Sequence, residues 1–164
     1  MAALTSGTPT ILVAAFTVPT GGCGPLTTGD RFHLFFADPD ADDGNDKGDR
    51  FRVVVAPAHS SPAVGKLLRE HYLIRKWITV PDRPMHDGDS EADTCYSGNK
   101  LLGSPRWSQG DDTPTCPTCK RPMELFLQLD GGDGEMSNLW GDAMLYVFHC
   151  PRHPGTWTTL RQYS

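Results

Sequence analysis

Apolar positions in this chain come in short runs separated by Gly, Pro and Asp, a pattern that predicts strands joined by turns. Arg31-Phe-His-Leu-Phe-Phe-Ala37 and Arg50-Phe-Arg-Val-Val-Val-Ala56 are aromatic and β-branched, as side chains on a pleated, half-buried surface tend to be. The polar, acidic stretch 38–49 between them makes the pair a hairpin with a long loop. Further along, Met123–Leu129 and Met144–His149 read as strands, and Thr156–Gln162 reads as a closing strand of the same antiparallel sheet. One helix is expected: Ser61 is a good N-cap, Pro62 suits the first helical position, and Val64, Leu67, Leu68 and Tyr72 follow at helical spacing. Ile74–Val80 is a further strand candidate, and Asp82–Gly98 reads as a loop. The expected class is α+β, mostly antiparallel β, with one short helix. The expected organisation is a single domain, 1–164, whose texture changes between a hairpin-and-helix half, 1–98, and a denser half, 99–164.

Composition sharpens this picture. Gly 17 and Pro 14 in 164 residues favour turns over long helices. Hydrophobic content of 38% and charged content of 21% fit a globular chain with a core. A formal charge of −5 argues against a nucleic-acid surface, because phosphate contacts need clustered Lys and Arg. The apolar stretch Thr10–Val18 has no Lys or Arg before it, the first being Arg31. A secretory signal has a basic start and a membrane helix needs roughly 20 apolar residues, so a cytoplasmic protein is expected.

The chemistry lies in the second half. Cys116-Pro-Thr-Cys119 is followed by Cys150-Pro-Arg-His153, each a two-residue spacing inside a Pro-containing turn. That spacing lets one turn aim two side chains at a common ion while its backbone amides face the thiolates. Two such knuckles beside strands give the four-ligand set of structural zinc, so the C-terminal part is expected to be a zinc-knuckle β module. Three thiolates and one imidazole suit zinc better than calcium or magnesium, which prefer oxygen. A closed set leaves no position for a reacting water, which points to stabilisation rather than catalysis. Redox activity of the two pairs is the competing reading. His149 is the competing imidazole, but it falls within the strand pattern.

Other candidates carry less. Cys23 and Cys95 have no nearby Cys partner and read as free thiols. The acidic stretch beginning at Asp38 lacks the Gly at the sixth position of an EF-hand loop, where Asp43 stands, and strands flank it; no calcium site is expected there. No nucleophile elbow, phosphate-binding Gly loop or His-Glu-x-x-His run occurs, which disfavours an enzyme.

Asn99-Lys-Leu-Leu-Gly-Ser-Pro-Arg-Trp-Ser-Gln109, then Cys116–Asp130, Trp140-Gly-Asp142 and Leu145–Cys150, resemble in order the motifs of the bacterial YwqG-like family. The same order of parts is similar to the zinc-bearing N-terminal region of programmed cell death protein 2. Leu26–Asp38 is similar, more weakly, to an earlier strand of YwqG-like domains. The chain lacks part of their N-terminal half, which implies a smaller or differently closed sheet. The resemblance implies protein binding, as an immunity protein or dedicated chaperone. Lys100, Arg106, Trp107, Trp140 and Asp142 are the candidate partner-binding residues. The acidic stretches 38–49 and 87–93 would steer a basic protein partner. The alternatives are a nucleic-acid-binding zinc ribbon using Arg106, Lys120, Arg121, Arg152 and Arg161, and a small enzyme.

Overall fold

The computed structural model describes residues 10–37, 51–57, 72–73, 99–131 and 143–163. They fall in two compact units, Met1–Ile78 and Thr79–Ser164, each with its own four-stranded sheet. The change of texture after Gly98 lies inside the second unit.

In the first unit the strands are β1 (Thr10–Thr17), β2 (Arg31–Ala37), β3 (Phe51–Ala56) and β4 (Tyr72–Leu73), in the order β3-β2-β1-β4. The β2–β3 hairpin pairs antiparallel, as its aromatic and β-branched content leads one to expect, with Phe32 opposite Val55 and Leu34 opposite Val53. β1 adds antiparallel to β2 and places Phe16 opposite Phe32, their rings stacked 5.0 Å apart. Ala14, Phe16, Phe32 and Leu34 are buried together on one face of the sheet. The apolar run Thr10–Val18 is therefore mostly a central strand rather than an export signal. Its Ile, Val and Phe content suits one. β4 pairs parallel with β1 through Ala14–Tyr72 and Ala15–Leu73. Of the predicted helix, residues 61–71 lie outside the described residues, and Tyr72, expected on its apolar face, is in β4. Strand candidate 74–80, loop 82–98 and acidic stretches 38–49 and 87–93 also lie outside them. Among the described residues no helix is present, and none is long and apolar enough to cross a membrane.

The second unit carries β5 (Lys100–Leu101), β6 (Glu124–Asp130), β7 (Ala143–His149) and β8 (Trp157–Tyr163), hydrogen-bonded in that order and all antiparallel. Every residue of β7 is buried, which explains its unbroken apolar run: both faces of this central strand are covered. One face presents Leu125, Met144, Tyr146, Phe148 and Cys150 to a core that also holds Cys116 and Met123, with Trp107 and Leu160 packed against it.

A β-bulge in β6 decides what that face can hold. The register shifts between Leu125 and Leu127, leaving Phe126 as the extra residue. Leu125 pairs with Phe148 and, beyond the bulge, Gln128 pairs with Tyr146. Residues three apart in a regular strand point to opposite faces. The bulge puts Leu125 and Gln128 on the same one, joining the apolar floor of the cysteine cluster to a polar group farther along.

Candidate metal centre and the clamped segment beside it

The first knuckle grows from a short ladder. Thr115 bridges to Pro122, the Cys116 amide donates to the Arg121 carbonyl at 2.8 Å, and the Lys120 amide donates to the Cys116 carbonyl at 2.9 Å. Lys120 takes a left-handed conformation (φ 57°), which turns the chain back into β6. The second knuckle closes the β7–β8 hairpin: the Cys150 amide donates to the Thr156 carbonyl at 3.1 Å and the His153 amide to the Cys150 carbonyl at 3.2 Å. Gly155, at φ 91°, supplies the left-handed step this turn needs.

The knuckles bring together the four residues the spacing singled out. The ligand atoms of Cys116, Cys119, Cys150 and His153 all lie within 4.8 Å of one another, a group able to hold a metal ion. Cys119 Sγ is 3.7 Å from Cys150 Sγ, and His153 Nδ1 is 3.4 Å from Cys150 Sγ and 3.6 Å from Cys116 Sγ. A disulfide has its sulfurs about 2.05 Å apart, and the cysteines here are free. His153 therefore presents Nδ1, a detail the sequence does not contain. His149, the competing imidazole, ends β7; its ring packs edge-on to Phe126 and tilted on Trp157, and its Nε2 lies 3.9 Å from Glu124.

Electrostatics in the cluster favour a cation. The Cys116 thiol is brought down to about 6, first by the backbone N–H of Cys119 and also by that of Thr118, against the cost of burial. Burial pushes the Cys150 thiol up, although the amides of Arg152 and His153 face it. The backbone amides favour the charged form of Cys116, and a bound cation would supply the charge that the buried Cys150 lacks.

Next to this cluster, residues 102–110 run over the same face of the sheet. Leu102 and Gly103 both adopt left-handed conformations (φ 62° and 82°) that reverse the chain after β5. For Leu102 this costs roughly 1–2 kcal/mol. Side chains from the sheet then hold the segment down. Gln128 Oε1 accepts the Arg106 amide at 2.9 Å, and the Tyr146 hydroxyl donates to the Arg106 carbonyl at 2.6 Å. Gln162 Oε1 accepts the amides of Ser108 and Gln109 at 3.0 and 3.1 Å, while its Nε2 donates to the Gly110 carbonyl at 2.9 Å. Trp107 tilts against Tyr146 at 4.9 Å and stacks on Phe148 at 5.9 Å.

The candidate partner residues are thus placed as follows. Lys100 lies in β5, its Nζ donating to the Ser104 carbonyl at 2.6 Å. Arg106 is partly buried and Trp107 packs on the metal-side core. Trp140 and Asp142 lie outside the described residues. Gln162 and Tyr146 were missed as anchors. A Gln inside a strand pattern and a Tyr in an apolar run carry no local mark of a tertiary bond.

No family model matches the chain and no solved structure matches it. It is similar to the uncharacterized protein YpfL of Salmonella typhimurium, at 37% identity over 95 residues. The match covers 52% of this chain and only 22% of that protein. A bacterial domain of unknown function is consistent with this relative, whose name states no activity.

Proposed function

We propose that the second unit is a zinc-stabilised protein-interaction module, with its partner surface beside the Gly103–Gln109 segment. The closed Cys3His cluster is the observation that carries this reading. With Zn–S near 2.3 Å and Zn–N near 2.0–2.1 Å, tetrahedral edges are about 3.8 Å between sulfurs and about 3.6 Å between sulfur and nitrogen. The separations of 3.7, 3.6 and 3.4 Å fit them. Four protein ligands leave no open position, which supports a structural ion over a hydrolytic one. The resemblance of the 99–162 motifs to the YwqG-like family supports protein binding by analogy. An immunity protein or a dedicated chaperone is the form this reading takes, with a basic partner steered by the acidic stretches 38–49 and 87–93.

Metal analysis combined with interaction assays tests the reading. The purified protein should carry one zinc per chain, and Lys100→Glu with Arg106→Glu should weaken capture of its partner in a protein that still folds and holds zinc. Metal-free protein of unchanged stability, or wild-type capture by the double variant, overturns it.

A further inference from the structure

Among the candidate partner residues, Arg106 combines an unusually fixed backbone with an unanswered side chain. We propose that Arg106 is a preorganised receptor for a carboxylate supplied by the protein partner; this rests on the partner surface lying beside Gly103–Gln109.

The backbone of Arg106 is held from both sides, its N–H by Gln128 and its carbonyl by Tyr146. The next residues are held by Trp107 stacking and by Gln162. Gln128 is 0% exposed and Gln162 is 4% exposed. Burying amide side chains is costly unless they are bonded, so the core commits two of them to fixing this segment. A segment held this way suits a binding group, because rigidity removes the ordering cost of association.

The guanidinium itself is incompletely satisfied. Its Nη1 is shut off from solvent with no hydrogen-bond partner, and Arg106 makes no ion pair among the described residues. Arginine cannot shed its charge to relieve this. Nη1 itself lies out of an incoming acceptor's reach, so a carboxylate would dock on the part of this half-buried guanidinium that is not shut off. A carboxylate offers two oxygens in the geometry of the guanidinium fork. Lys100 already spends its Nζ on the Ser104 carbonyl, which leaves Arg106 as the donor of the pair.

The zinc-loaded full chain can be tested by following arginine side-chain Nε–Hε signals in NMR. The probes are acetylated glutamic acid methylamide for a side-chain carboxylate, N-acetylglycine for a chain terminus, the glutamine methylamide as neutral control, and inorganic phosphate. The expected result is a saturable shift of Arg106 with one or both carboxylate probes, at least about 10-fold tighter than for the exposed Arg152. The glutamine probe should give none, and Arg106→Lys should abolish the accompanying shift at the Trp107 indole. Parallel, unsaturated shifts of Arg106 and Arg152, or tighter binding of phosphate, overturn the proposal. Such a failure in a folded, zinc-containing sample leaves the interaction-module reading intact. A sample without zinc that folds equally well removes the zinc reading, whatever Arg106 does.

Discussion

The Tyr146 hydroxyl donates a 2.6 Å hydrogen bond to the carbonyl of Arg106, forty residues earlier in the chain. Burial raises the pKa of that phenol, and contact with Ser108 opposes the rise. The neutral hydroxyl is the donor the carbonyl requires. Tyr146→Phe keeps the ring on Trp107 but leaves the carbonyl without this donor. We expect a loss of about 1–3 kcal/mol in chemical denaturation, with zinc content unchanged. An unaltered denaturation midpoint would show that water replaces the hydroxyl.

Gln162 tests the other anchor. Its amide accepts two backbone N–H groups with one atom and donates to the Gly110 carbonyl with the other. Gln162→Glu preserves the acceptor, removes the donor and places a charge at a site 4% exposed. Gln162→Glu should therefore cost more than Tyr146→Phe, on the order of 3 kcal/mol at neutral pH. Part of that loss should return on acidification, when the carboxyl is protonated and can donate. Urea denaturation at neutral and mildly acidic pH measures both effects.

Removing the metal should loosen the second unit more than either substitution. Structural zinc contributes on the order of 10 kcal/mol in small zinc peptides, and a larger core retains part of its stability without it. Chelation, Cys116→Ser or Cys150→Ser should each lower the melting temperature. Cys116 is 0% exposed and Cys150 2% exposed, both within the core that Trp107 covers. His153→Cys should keep the metal and His153→Ala should bind it more weakly. Equal zinc content in His153→Ala and wild type, measured by atomic absorption, would remove His153 from the ligand set.

These variants also separate what is written locally from what is not. The strands β2, β3, β6, β7 and β8 follow from short apolar runs between turn residues, and the Cys3His cluster follows from two matching knuckle spacings. Each of those signals lies within a few residues. β1 was hidden because an apolar run near an N-terminus has more than one meaning until β2 supplies a partner. The clamp on 106–110 is not written locally: the face that Gln128 takes is set by the bulge at Phe126. Period-two reasoning carried through that bulge assigns Gln128 to the wrong side. Gln162 and Tyr146 act across separations of 54 and 40 residues, which no local pattern records.

Cys23 offers a prediction in the first unit, away from the cluster. It sits in the turn between β1 and β2, where its amide and carbonyl exchange hydrogen bonds of 3.0 Å with Leu26. Gly22 precedes it at φ 81°, and a Cβ there would approach the Leu26 carbonyl to 2.9 Å. The side chain is 6% exposed, and burial pushes its thiol pKa from 9.0 up to about 11. Such a thiol is a poor nucleophile, so Cys23 should resist iodoacetamide at pH 8 in the folded protein and react once urea is added. The sign of the pH effect follows from the raised pKa. Below pH 9 the thiol is neutral in both states and its contribution is complete. As pH rises from 9 toward 11 the unfolded chain ionises first, and that contribution is lost. Cys23→Ala should therefore lower stability at pH 7 through lost packing, yet show a shallower decline than wild type between pH 9 and 11. Equal alkaline slopes for the two proteins, measured by denaturation across that range, would place the Cys23 thiol in contact with solvent.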